Sequence, residues 1–189
     1  MIDKTRQYAV YDFKPRPDIY FVDMTMTFPI LENSIECQNV VVLRERFDRV
    51  KDLVKTDRWF EGGQDGDMFC GGILKQYKDY VVATLDGCAY SDHGFLRSMF
   101  VREDFRNHDL GTMLFRDFAR SVHQAGFEKL TGEVVYNAPG ELHKFYKKLG
   151  CNVFPCPGND IFWAKSGAHK FGLRKLALNN DRTEELNSL

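Results

Sequence analysis

The sequence predicts an α/β or α+β sandwich, a mixed sheet with helices packed on it. Two observations lead there. The second half of the chain alternates in pattern: strand, helix, strand, helix, then two short strands. A strand–helix–strand crossover between parallel neighbours is right-handed and lays its helix on the sheet. The 189 residues are also 43% hydrophobic and 14% aromatic, with 16 Phe and 8 Tyr, enough apolar surface for one ordinary core. That composition excludes wholesale disorder.

Each element has its own signal. Residues 8–13 read as a strand ended by Pro15-Arg16-Pro17. Residues 19–28 alternate at Met24, Met26 and Phe28, and residues 39–43 form a short apolar run; both are strand-like. Phe47, Val50 and Val54 recur at helical spacing. Residues 61–67 form a loop whose carboxylates lack the spacing of a calcium loop, so a solvated turn is expected. Strand-like stretches follow at 68–75, 80–85 and 93–101, with Lys78-Asp79 and Asp86-Gly87 as turns.

The later elements are sharper. Leu110, Met113, Leu114, Phe118, Val122 and Ala125 form one apolar helical stripe, with Arg116, Asp117, Arg120 and His123 on the other side and Gly126 as the stop. Residues 130–136 are a strand. Leu142, Phe145, Tyr146 and Leu149 mark a second helix closed by Gly150, and 153–154 and 161–163 are short strands.

Charge and cysteine content narrow the class. Lys and Arg number 26 against 27 Asp and Glu, a net of −1, which excludes a bulk polyanion binder. The balance hides an asymmetry. Residues 142–175 hold seven basic residues and one acid, Asp160, for +6, leaving −7 on the remainder. The N-terminus lacks a leader pattern, and the longest aliphatic run, Val40-Val41-Val42-Leu43, is too short to span a bilayer. Five irregularly spaced cysteines read as reduced thiols in a cytoplasmic protein. Cys151, Cys156 and His143 lie close together without a further ligand at metal-binding spacing, so no metal is expected.

The segment from Ser98 to Gly111 carries the chemistry. It is a strand, a polar loop and the first turn of the strong helix. Unpaired N–H groups and the dipole at a helix start receive a phosphate or pyrophosphate. Gly111 allows close approach, and Arg102, Arg106 and His108 add positive charge. The glycine-lysine-serine/threonine phosphate loop of nucleotide hydrolases does not occur.

Arg106-Asn107-His108-Asp109-Leu110-Gly111 resembles the Arg/Gln-x-x-Gly-x-Gly/Ala signature of the GCN5-related N-acetyltransferase (GNAT) family, with Asp109 in place of the first glycine. Downstream, Val134-Val135-Tyr136-Asn137 and Phe145-Tyr146-Lys147-Lys148-Leu149-Gly150 are similar to that family's strand, asparagine and Phe/Leu-Tyr-x-x-Leu-Gly helix end. The resemblance spans roughly residues 95–163. It implies a GNAT fold: a central mixed twisted sheet with helices on both faces and a splayed parallel strand pair. It implies one GNAT-like domain over 1–189, with an N-terminal extension (1–38), a core (39–165) and a C-terminal basic tail (166–189).

The roles that the resemblance implies follow by residue. Backbone amides of Asn107, His108, Asp109, Leu110, Gly111 and Thr112 cradle the pyrophosphate of acetyl-coenzyme A, the co-substrate, and Arg106 joins the cofactor-binding set. Met99, Phe100 and Val101 offer backbone groups to the pantetheine arm, and a backbone N–H polarises the thioester carbonyl. Asn137 bonds the pantetheine or the acceptor, and Tyr146 protonates the leaving thiolate. Glu133 and His93 stand as alternative proton acceptors for the amine. Transfer is direct, in a ternary complex, with no cysteine intermediate.

The implied activity is N-acetyl transfer to an amine. The alternative is a catalytically weak or inactive GNAT-fold module that binds a protein or nucleic-acid partner, which the carboxylate of Asp109 favours. The acceptor is open among small amines, protein amines and aminoacyl-tRNA. Residues 1–38 are assigned to the acceptor site or to a homodimer contact.

Overall fold

The computed structural model of the chain describes residues 5–13, 16–28, 34–48, 73, 77–134, 140–155 and 160–168. Eight strands form one sheet among them: β1 (Thr5–Asp12), β2 (Ile19–Phe28), β3 (Ser34–Leu43), β4 (Val81–Tyr90), β5 (His93–Val101), β6 (Lys129–Val134), β7 (Asn152–Phe154) and β8 (Asp160–Lys165). Their spatial order is β1-β2-β3-β4-β5-β6-β8-β7. Every pairing is antiparallel except β5 with β6. Two helices join the later strands, α1 (Leu110–Gln124) and α2 (Gly140–Lys148). The mixed sheet and its one parallel pair agree with the expected fold. Strands β1 and β2, inside the expected 1–38 extension, pair into this same sheet.

The core lies between the sheet and α1. Leu110, Met113, Leu114, Phe118 and Val122 are buried there against Val41, Ala83, Leu85 and Leu96. Phe115 turns toward α2, where its ring lies 6.0 Å from both Tyr146 and Phe162. The other sheet face carries a second apolar cluster of Val10, Tyr20, Val22, Met24, Val40, Val42 and Val81, against which Phe47 and Ile73 pack. Helices α1 and α2 each close on a glycine with positive φ, Gly126 (96°) and Gly150 (81°).

Three sequence expectations are corrected. Asp86-Gly87 is not a turn. Strand β4 runs through it to Tyr90, and the chain reverses at Ser91-Asp92. Gly87 is small for a different reason: a Cβ there would meet the Phe118 ring at 2.6 Å, so the glycine lets α1 approach the sheet. Asp117 is not on the solvent side of α1. Its carboxylate is fully buried, accepts a hydrogen bond from Asn39 Nδ2 at 3.0 Å, and is ion-paired to Arg120. A polar partner on β3 thus draws a charged residue inward. The strand expected at 68–75 is described only at Ile73, which is helical; Tyr77 N donates to its carbonyl at 2.8 Å. The loop at 61–67 and most of the helix expected from Phe47 lie outside the described residues.

Among the described residues no helix is long and apolar enough to cross a membrane. The free thiols of Cys37, Cys88 and Cys151 are buried, and no group of three or more His, Cys, Asp or Glu is arranged to hold a metal among the described residues.

The close approach at Gly87 gives a direct test. Gly87→Ala is expected to destabilise the chain by about 1–3 kcal/mol through overpacking against Phe118, read from urea denaturation midpoints. Adding Phe118→Leu is expected to restore part of the loss. An unchanged midpoint in the single variant would show that α1 does not depend on this contact.

Candidate active site

The parallel strands β5 and β6 pair from His93↔Lys129 to Leu96↔Gly132 and then part. Strand β5 continues to Val101 and β6 to Val134 without pairing to each other. The divergence coincides with a bulge. Pairing of β4 with β5 steps from Gly87↔Leu96 to Asp86↔Ser98, leaving Arg97 without an opposite residue. A bulge bends its strand and sharpens its twist. Here it turns β5 away from β6 and opens a gap between them.

Arg97 is held on three sides. Its Nη2 donates to Asp86 Oδ1 at 3.0 Å and to the Gly87 carbonyl at 3.4 Å, and its Nε lies 2.8 Å from Asp86 Oδ2. It is also paired to Glu36 on β3. The Asp86 side chain is fully buried. Burial pushes its carboxyl up to about 6, against the opposing pull of the Arg97 guanidinium.

The loop after β5 leads to the start of α1. Arg102 is consumed by the loop itself: its guanidinium donates to Asp104 at 3.0 and 2.5 Å and to the Lys78 carbonyl at 2.7 Å, and it lies over the Phe105 ring. Arg106 is exposed, and its Nε donates to the Val101 carbonyl at 3.2 Å. Asn107 and Asp109 both take positive φ, 63° and 59°. The backbone at position 109 is therefore left-handed, the conformation that favours glycine and that Asp tolerates at a cost. Asp109 thus holds a backbone conformation that glycine adopts freely.

The first turn of α1 is open. Asp109 makes no side-chain cap, and the first helical bond runs from Met113 N to the Asp109 carbonyl at 2.9 Å. The amides of Leu110, Gly111 and Thr112 thus have no partner four residues back along the helix. They meet the positive end of a 15-residue helix dipole. A Cβ at Gly111 would lie 3.4 Å from Phe145, ordinary contact, so the packing of α2 does not itself require glycine at this position.

Tyr146 is buried on the helix side of the sheet. Its ring stacks on Phe162 at 4.4 Å, and the Phe162 ring fills the space a Cβ at Gly132 would occupy, at 2.5 Å. That contact chain sets the phenol ring on the helix side of the sheet, one ring away from Gly132 of the last parallel pair. Burial drives the Tyr146 hydroxyl well above the ordinary phenol range, so it holds its proton. Cys151 beside it is likewise pushed up to about 12 by burial and stays a neutral thiol.

The two base candidates separate. Glu133 is the first residue of β6 past the parallel pairing and is exposed. His93 lies at the far end of β5, four residues or about 13 Å before the gap, and its Nδ1 is 2.6 Å from Asp92. His93 is thereby removed from the gap. Asn137 lies outside the described residues. The Arg97–Asp86–Glu36 cluster was missed in the sequence, where its signal was charge inside a strand-like stretch.

A family model described as the acetyltransferase (GNAT) family matches residues 31–151. Among solved structures, the chain is similar to Ard1 from Thermoplasma volcanium, with 21% identity over 50% of this chain and 75% of that one and a TM-score of 0.42. It is similar to the PaiA N-acetyltransferase from Thermoplasma acidophilum in complex with coenzyme A, with 14% identity over 45% and 54% and a TM-score of 0.42. It is similar also to a GNAT family acetyltransferase from Elizabethkingia anophelis with acetyl-CoA bound, with 14% identity over 50% and 82% and a TM-score of 0.41. No curated protein matches the chain.

Two outcomes follow from this geometry. Asp109→Gly is expected to stabilise the chain by about 1 kcal/mol by relieving the left-handed backbone, seen as a rise in Tm; a fall would mean that the Asp109 side chain contributes a contact. Asp86 gives a pH signature. The folded state keeps its proton up to about 6, whereas the ordinary value is 3.8. The folded state thus binds more protons in that window, and this group's contribution to stability falls as pH rises through it. Asp86→Asn is expected to flatten the decline of the urea midpoint between about pH 4 and 6. An equal decline in the variant would assign it to other groups.

Proposed function

The chain belongs to the acetyltransferase (GNAT) family, and we propose that it moves the acetyl group of acetyl-coenzyme A directly to an amine within a ternary complex. The carrying observation is the gap itself. Strand β5 leaves its parallel partner after Leu96, runs on to Val101, and leads within nine residues into a helix start with open amides. A pyrophosphate at Leu110–Thr112 and a thioester between β5 and β6 fit one extended ligand laid along that path.

In this reading the acceptor reaches the gap from the sheet face that carries Glu133, and the phenol lies on the opposite, helix side. The amine nitrogen attacks the thioester carbon as a C–N bond forms, and Glu133, directly or through water, takes the proton that the amine loses. A β5 amide facing the gap donates to the developing oxyanion. The C–S bond then breaks, and Tyr146 donates its proton to the sulfur. A buried phenol is a weaker acid than a free one, but a thiolate leaving into the same dry site is also a stronger base. The products are the acetylated amine and free coenzyme A.

Arg106, Asn107, His108, Asp109, Leu110, Gly111 and Thr112 form the proposed pyrophosphate cradle, Met99, Phe100 and Val101 the pantetheine strand, and Asn137 a further contact to the pantetheine or the acceptor. We assign residues 39–165 as the core, widened at one edge by β1 and β2. The left-handed backbone at Asp109 weakens the case for a catalytically weak binding module, since the binding amides survive the substitution.

Acetyl-coenzyme A at 100 times its Kd is expected to stabilise the chain by about 2.7 kcal/mol; no thermal shift at millimolar concentration would overturn the proposal. Tyr146→Phe keeps the ring stack and removes only the hydroxyl. It is expected to lower kcat by about 10²-fold with acetyl-coenzyme A binding unchanged. An unaltered kcat would assign the proton to another donor.

A further inference from the structure

We propose that the acceptor is a primary amine carried close to an apolar or aromatic group, with its ammonium beside Glu133 and its apolar flank on Phe154 and Ile161. The inference rests on the acetyl-transfer reading and names the substrate class of that same site.

The register sets these three side chains in a row. Phe154 on β7 is opposite Ile161 on β8, and Ile161 is opposite Glu133 on β6. Opposed residues point to one face. That face is the one away from the core, because the alternating residues Val134 and Phe162 are buried with α1 and α2. Phe154 and Ile161 are 53% and 40% exposed, two of the four large hydrophobics exposed to that degree among the described residues. A third, Phe100 at 39%, opposes Thr84 across β4 and flanks the gap from the other side. The row therefore begins at the proposed reacting point and runs outward as a carboxylate followed by two apolar side chains.

The carboxylate at the start of the row bears on the occupant. Among the described residues near the gap this face carries Glu133 and the Arg97–Asp86–Glu36 ion-pair cluster, with Lys129 and Lys165 about 13 Å farther along β6 and β8. A carboxylate at the reacting point suits an ammonium rather than a phosphate. The apolar pair then discriminates among amines. Ile161 lies one strand spacing, about 4.8 Å, from Glu133, and Phe154 lies two. That is the reach of an amine borne two or three carbons from an aromatic ring. A polyamine would leave the apolar pair uncovered.

The test measures thiol release from acetyl-coenzyme A with phenethylamine, a tetrapeptide with a free N-terminal Phe, and spermidine. Phenethylamine or the peptide is expected to exceed spermidine at least tenfold in kcat/KM. Whichever of the two is higher assigns the source as a free amine or a chain terminus. Phe154→Ser with Ile161→Ser, or the single exposed change Ile161→Lys, is expected to raise the KM for the preferred amine about tenfold and leave acetyl-coenzyme A binding unaltered. Spermidine as the best acceptor, or an unchanged KM in both variants with acetyl-coenzyme A still bound, would overturn the inference and leave acetyl transfer standing. Failure of the native chain to bind acetyl-coenzyme A would overturn both.

Discussion

The geometry of the gap depends on one ion-paired residue. Arg97 occupies the bulge in β5 and ties it to β4 through Asp86 and to β3 through Glu36. A bulged residue without an anchor can slide back into register, since a sheet loses only local hydrogen bonds by either choice. The buried carboxylate of Asp86 makes that slide costly, because it would strand a charge in a dry site without its partner. The ion-paired guanidinium thus fixes the point at which β5 leaves β6. Everything downstream inherits that point: the unpaired edge of β5, the loop at Arg102, and the placement of the α1 start.

Helix α1 is fixed by a second buried polar contact of the same kind. Asn39 bonds Asp117 on the helix and also accepts, at 3.4 Å, from the backbone N–H of Met24. Gly87 then admits Phe118 against the sheet. The apolar stripe decides that the helix packs; Asn39, Asp117 and Gly87 decide where along the strands it sits. Phe115, Tyr146 and Phe162 transmit that position to α2 and hold the phenol ring on the helix side of the sheet. The site is therefore assembled from two faces. The Tyr146 phenol lies on the helix side, and the Glu133 carboxylate with its apolar ledge lies on the open side.

The sequence made some of this visible and hid the rest for physical reasons. Period-3.6 stripes and closing glycines were legible because helix burial repeats locally, and α1 and α2 match them closely. The Arg106–Gly111 and Phe145–Gly150 segments were legible because each is one contiguous motif. The Asp86–Arg97–Glu36 cluster was not, since it joins three strands through residues up to 61 positions apart. Asp86-Gly87 misled because aspartate and glycine signal a turn locally, while here one is an ion-pair partner and the other a clearance for a helix. The exposed row from Glu133 to Phe154 emerges only from strand register.

In the proposed complex one extended acyl donor lies along the open edge of β5 and ends on the first turn of α1. NMR-detected backbone amide exchange, with and without acetyl-coenzyme A, reads this residue by residue. Slowed exchange at Leu110, Gly111 and Thr112 together with gap-facing amides of Met99, Phe100 and Val101, and no change at His93 or in β1, is the predicted result. Protection confined to the outer strands, or none at the start of α1, would contradict it.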